Sequence, residues 1–181
     1  MKSTILFLSL LASNPAIASI YNFETGNGEV VFNAKGKPAL ITIKGEGKGP
    51  EGQLTENEGM VSGELLFELD SLKTGIDLRD EHMKKKYLEV EKFPKAKLTL
   101  NNFKYDESGK STPFKGTLEL HGVSKEVEGV VRVSGKKEKR NVEAKFPIRL
   151  SLFNIDIPSF QGITVAEDVT VQIEATANAK N

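Results

Sequence analysis

The side chains whose types and spacing could do chemistry are few: His82 and His121, Ser71, and the acidic group Asp77, Asp80 and Glu81. Ser71, His82 and Asp80 supply the raw materials of a hydroxyl–imidazole–carboxylate relay, in which the ring takes the hydroxyl proton and the carboxylate orients the ring. The serine sits in Asp70-Ser71-Leu72, with none of the flanking glycines that expose a nucleophile on a sharp strand-to-helix turn. His82 beside Asp77, Asp80 or Glu81 suggests a metal site, but such a site needs several converging ligands, each held by further hydrogen bonds. Asp77 and Asp80 read as caps or solvated groups rather than as an acid–base pair. The glycines at 45, 47, 49 and 52 precede Glu and Gln and no helix, so they read as a turn and not a phosphate cradle. There is no cysteine, which excludes a thiol nucleophile, a disulfide framework and a thiolate metal site. The expectation is a protein that is not an enzyme, with neither metal nor cofactor.

Charge narrows the partners. The chain carries 25 basic and 25 acidic residues. Nucleic-acid binding needs a basic surplus to displace counterions, so that class is excluded. The runs Lys84-Lys85-Lys86 and Lys136-Lys137 are flanked by acidic residues and read as solvated surface.

The chain opens with Lys2, a short apolar run from Ile5 to Leu11, and small residues at Ala16 and Ala18. This is the pattern of a secretory signal peptide over residues 1–18, cleaved before Ser19. The run is too short to span a bilayer, and no later segment approaches membrane length. Residues 19–181 are expected to form one soluble domain, periplasmic or secreted.

The elements that position these side chains are strands. Leu65, Phe67 and Leu69 alternate with Glu64, Glu68 and Asp70. Phe114, Gly116, Leu118 and Leu120 alternate with Lys115, Thr117, Glu119 and His121. Val142 to Leu152 and Val169 to Ala175 repeat the pattern. Successive strand side chains point to opposite faces, so each strand has one dry and one wet face, as in antiparallel sheet. About eight strands are expected, near 29–34, 39–46, 60–70, 96–105, 113–121, 126–134, 142–153 and 168–177. Gly47 to Gly52 reads as the most flexible segment and Gly135 to Asn141 as a charged loop. Pro147 lies inside a strand pattern and should fall at a bulge, or where its nitrogen faces away from the ladder. The main helix is expected over Arg79 to Leu88, capped by Asp77 or Asp80, with Met83 and Tyr87 on one face.

The fold class is therefore all-β: about eight antiparallel strands, closed into a barrel or packed as a two-sheet sandwich, with one short crossover helix. Alternation is compatible with either. The dry face is aliphatic and Phe-rich, and small at Gly116, Gly129, Ala144 and Ala175. On the pattern alone it fits an ordinary packed core first, and also a cavity for a long apolar chain.

Several segments carry a resemblance. They are Asp70-Ser71-Leu72-Lys73-Thr74-Gly75, Arg79-Asp80-Glu81-His82-Met83, Tyr87 to Pro94, Gly116 to Lys125, and Phe146-Pro147-Ile148-Arg149-Leu150 with Phe153-Asn154-Ile155 downstream. In this order and spacing the chain resembles the YceI-like family of exported lipid-binding proteins. The resemblance implies an extended, lipocalin-like barrel that holds a polyisoprenoid or another long amphiphile, its polar head near the mouth. It also implies that Arg79 and Asp80 pair or cap to fix the helix across one end. The chain departs from the family at residues 26–36, which lack the His often found there, and in a Gly- and Glu-rich stretch from 45 to 59.

The function expected is an exported carrier of a polyisoprenoid, isoprenoid quinone or fatty-acid-like molecule. The lining residues expected are Phe32, Leu65, Phe67, Leu98, Leu100, Phe114, Leu118, Val131, Phe146, Ile148 and Val171, with Gly116 and Ala144 providing space. The partner is then a long-chain apolar small molecule, and monomer and dimer are both compatible. The alternative is a stress-related interaction protein whose barrel is filled by its own side chains, with contacts through 47–59 and 135–141. A third possibility, catalysis by His82 with Asp80, lacks a supporting pattern.

Overall fold

The computed structural model describes residues 18–37, 41–160 and 162–180. All of the leader read at 1–18 except Ala18 lies outside them. The strands are β1 (Ser19–Lys37), β2 (Ile41–Lys48), β3 (Glu51–Asn57), β4 (Met60–Glu68), β5 (Lys95–Lys104), β6 (Thr112–Leu120), β7 (Val123–Lys136), β8 (Lys139–Arg149), β9 (Ser159–Phe160) and β10 (Ile163–Ala179). The helix α1 covers Asp77–His82 and runs on as a wider π turn, Met83–Tyr87.

Every neighbouring pair is antiparallel, and β1 pairs with both β3 and β10, so β1, β3, β4, β5, β6, β7, β8 and β10 form a closed eight-stranded barrel. Closure is what rules out the sandwich, and it removes the exposed strand edges. β2 continues the column of β3: β3 pairs with Ser19–Phe23 of β1, and β2 pairs with its residues 29–36. Where β2 outruns β4, the chain after β4 covers its edge. Glu46 and Lys73 exchange two backbone hydrogen bonds of 2.8 Å.

Four details differ from the sequence reading. The first strand begins ten residues earlier than 29, because Tyr21 and Phe23 carry alternation beyond the Gly26-Asn27-Gly28 irregularity. The supposed flexible segment, Gly47 to Gly52, is strand on both sides of Gly49-Pro50. Its amides are paired, and Gly49 donates to the Gly28 carbonyl at 2.9 Å. The charged loop at 135–141 is a tight β7–β8 hairpin. No side chain caps α1, whose N-cap is Ile76. Pro147 lies beyond the last β7–β8 pair, Val130 with Lys145, and opposite Thr170 of β10.

The core is continuous and aliphatic–aromatic, and no polar or charged residue is buried among the described residues. Phe103, Phe114 and Phe146 stack edge to face through its centre, with ring centroids 6.3 Å and 5.9 Å apart.

Candidate functional site

The barrel interior is divided. The larger space, about 450 Å³, lies toward the end crossed by α1. Its walls come from residues of seven strands, among them Val30, Ala34, Phe67, Ala96, Ile148 and Val169. The smaller space, about 70 Å³, lies toward the opposite end, between Leu65, Leu98, Leu100, Phe114, Val131 and Ala144. Ile173 lines both.

The residues proposed from sequence divide between these spaces. Phe32, Phe67, Leu118, Phe146, Ile148 and Val171 line the larger one. Leu65, Leu98, Leu100, Phe114, Val131 and Ala144 line the smaller. Gly116 lines neither: a Cβ there would lie 3.0 Å from the side chains of both Leu98 and Leu100, which already occupy the room it leaves. Gly129 is likewise a point of close approach, where a Cβ would lie 2.6 Å from the Phe146 Cβ. These two glycines let neighbours come nearer rather than opening space.

The mouth is the polar part. Thr74, Arg79 and His82, with Glu68 and Tyr87, are the polar residues at the wall of the larger space. Arg79 and Asp80 do not grip each other; both grip Thr74. Arg79 donates from Nε to Thr74 Oγ1 at 2.7 Å and from a terminal nitrogen to the Thr74 carbonyl at 2.8 Å. Asp80 accepts the Thr74 backbone N–H at 2.8 Å and the Thr74 hydroxyl. The carboxylate thus holds the strap before the helix instead of capping the helix. The far end of the helix is fastened by Tyr87, whose hydroxyl accepts the Ser159 N–H at 3.1 Å. The crossover is tied at both ends above an apolar hollow.

Apolar side chains extend from the hollow onto the rim. Ile41 and Ile76 line the space and are 41% and 48% exposed. Leu78, Leu152 and Ile157 are exposed at the same end of the barrel.

His121 is structural. Its two ring nitrogens meet Glu89 at 2.9 Å and the Phe153 carbonyl at 3.1 Å, and Phe93 packs edge-on against the ring at 4.7 Å. Lys92 first, and His121 next, hold the Glu89 carboxyl below its ordinary range. At the opposite end, Tyr105 donates to Glu56 at 3.1 Å and Arg140 lies over its ring. Burial, and then the Glu56 charge, push the Tyr105 phenol well above its usual value.

Sequence reasoning missed Thr74, Arg79, His82, Met83 and Tyr87 as wall residues. The spacing of Met83 and Tyr87 was the available signal, since both project from one helical face. Among the described residues no group of three or more His, Asp or Glu is placed to hold a metal ion, and no helix is long and apolar enough to cross a membrane.

A closed antiparallel barrel with an apolar hollow under a crossover helix defines a barrel-type binding protein. The YceI-like domain model matches residues 21–177, and the chain belongs to that family. A comparison with curated proteins returns no match. Among solved structures, Burkholderia cenocepacia BcnA superposes with a TM-score of 0.73 at 17% identity, covering 87% of this chain and 100% of that one. A polyisoprenoid binding domain from Saccharophagus degradans, implicated in plant cell wall breakdown, gives 0.68 at 15% identity over 88% and 98%. The Campylobacter jejuni YCEI protein gives 0.55 at 17% identity over 100% and 92%. At these identities the likeness is one of fold.

Proposed function

We propose that this protein is an exported carrier that holds a long apolar amphiphile in the larger space, with its polar end beside Thr74, Arg79 and His82. The observation that carries the reading is the 450 Å³ hollow with an almost wholly apolar wall. Such a hollow rewards an alkyl or prenyl chain and penalises a sugar or nucleotide, whose polar groups would lose water without gaining partners. At about 25 cal/mol per Å² of apolar surface, burying on the order of several hundred Å² yields several kcal/mol after ordering costs. A polyisoprenoid-binding domain among the structural neighbours supports the same cargo class. The leader pattern at residues 1–18 supports export. The filled-barrel reading describes the lower half of the barrel, but it leaves the upper hollow without a use.

Native mass spectrometry of the protein recovered from the periplasm, followed by solvent extraction, tests the proposal. A bound mass that extracts as a long-chain lipid is expected. Ala34, buried in the wall of the hollow, supplies the control: Ala34→Phe fills the space and should abolish lipid uptake while the barrel still folds. An apo mass that stays apo after incubation with isoprenoid quinones and fatty alcohols would sink the carrier reading.

A further inference from the structure

We infer that Phe146 and Ile173 form a floor across the barrel that sets the longest chain the hollow accepts; this rests on the carrier reading above. Phe146 belongs to the wall of the larger space and is 2% exposed. Its ring meets Phe114, a wall residue of the smaller space, edge to face at 5.9 Å. Ile173, 3% exposed, faces both spaces. The two side chains therefore stand between one apolar volume and the next.

The floor is braced from the side. At Gly129 a Cβ would lie 2.9 Å from the Phe114 ring and 2.3 Å from the Lys145 carbonyl. Backbone thus closes behind the ring pair, and a ligand tail has no lateral room to push it aside. Beneath lies a reserve of about 70 Å³ that no chain reaches while the floor is in place. Ile173 pairs across the ladder with Ala144, a wall residue of that reserve. A large residue beside a small one makes the floor a matter of which strand carries the bulk.

The consequence is a break in the affinity series. Each methylene buried in the hollow should tighten binding about fourfold, which is ~0.8 kcal/mol per CH₂ at room temperature. Once the tail reaches the floor, further methylenes should add nothing or weaken binding.

The test uses delipidated protein and a homologous series of straight-chain fatty alcohols, with dissociation constants from competition against a fluorescent fatty-acid probe. Wild type should show a break at one chain length. Ile173→Ala should move the break to longer alcohols by joining the reserve to the hollow, and Phe146→Leu should move it the same way. The double variant Ile173→Ala with Ala144→Ile returns bulk to the floor and should restore the shorter limit. Thermal unfolding of each variant identifies the folded ones, and either single variant suffices. A break that stays put in a folded floor variant, or a wild-type series with no break, overturns the floor. If wild type binds no alcohol at any length, the carrier reading itself falls, and the floor falls with it.

Discussion

At the scale of single residues, polar side chains work at the two ends of the barrel and the middle stays dry. Tyr105 shows what this does to ionisation. Burial, then the neighbouring Glu56, favours the neutral phenol, so the folded protein holds its proton beyond the ordinary phenol range. An unfolded tyrosine ionises at about pH 10. A raised value for a neutral acid contributes stability that is full below that pH and is lost as pH climbs toward the folded value. The expected outcome is a urea midpoint that declines steeply above about pH 10. Tyr105→Phe should be less stable near neutrality and flatter in that alkaline limb. A phenolate absorbance titration in which Tyr105, identified by its loss in Tyr105→Phe, ionises in the ordinary phenol range in the folded state would contradict the argument. His121 teaches the complementary lesson. A histidine that looks chemical in the sequence is spent on joining a hairpin, the loop before β5 and the turn after β8.

At the scale of elements, the kink between β2 and β3 is the sensitive joint. A Cβ on Gly49 would come within 2.5–2.8 Å of the Gly28 backbone, and Pro50 beside it is fully buried. Gly49→Ala should therefore destabilise the fold by roughly 1–3 kcal/mol, the cost of overpacking a site that cannot yield. Chemical denaturation measures it, and an unchanged midpoint would show that the joint relaxes. This joint also explains what the sequence concealed. Strands with one dry face, such as β4, β6, β8 and most of β10, were legible because solvent on one side enforces alternation. β3 was not, because Leu54 is its one buried residue, and Gly52 within it and Gly49 and Gly59 beside it mimic a loop. The aliphatic lining was legible as an inward face, but its division between two spaces was not. Whether a small residue opens room or draws a neighbour closer depends on the strand opposite, as at Gly116 under Leu98 and Leu100. The grip of Arg79 and Asp80 on Thr74 was hidden for a related reason. The motif shows a cation beside an anion, but only the folded strap shows that both reach the same threonine.

At the scale of the whole molecule, stability rests on burial and hydrogen bonding, since there are no disulfides. Reductant should leave the unfolding midpoint unchanged, whereas cargo should raise it. A ligand bound only by the folded barrel adds about 2.7 kcal/mol at a hundredfold excess over its dissociation constant. Fatty alcohol should thus raise the melting temperature of wild type and leave that of Ala34→Phe where it was; equal shifts in both would place the ligand elsewhere. The ring is sealed by its own extremes, with Phe32 of β1 beside Val171 of β10. Pairing of residues so far apart in sequence is slow to form. A nascent chain on its way out of the ribosome therefore has no interior to offer, whatever lipid surrounds it. On the proposed carrier function, cargo can be acquired only after the last strand is released, so loading is an event in the life of the finished protein and not a step in its synthesis.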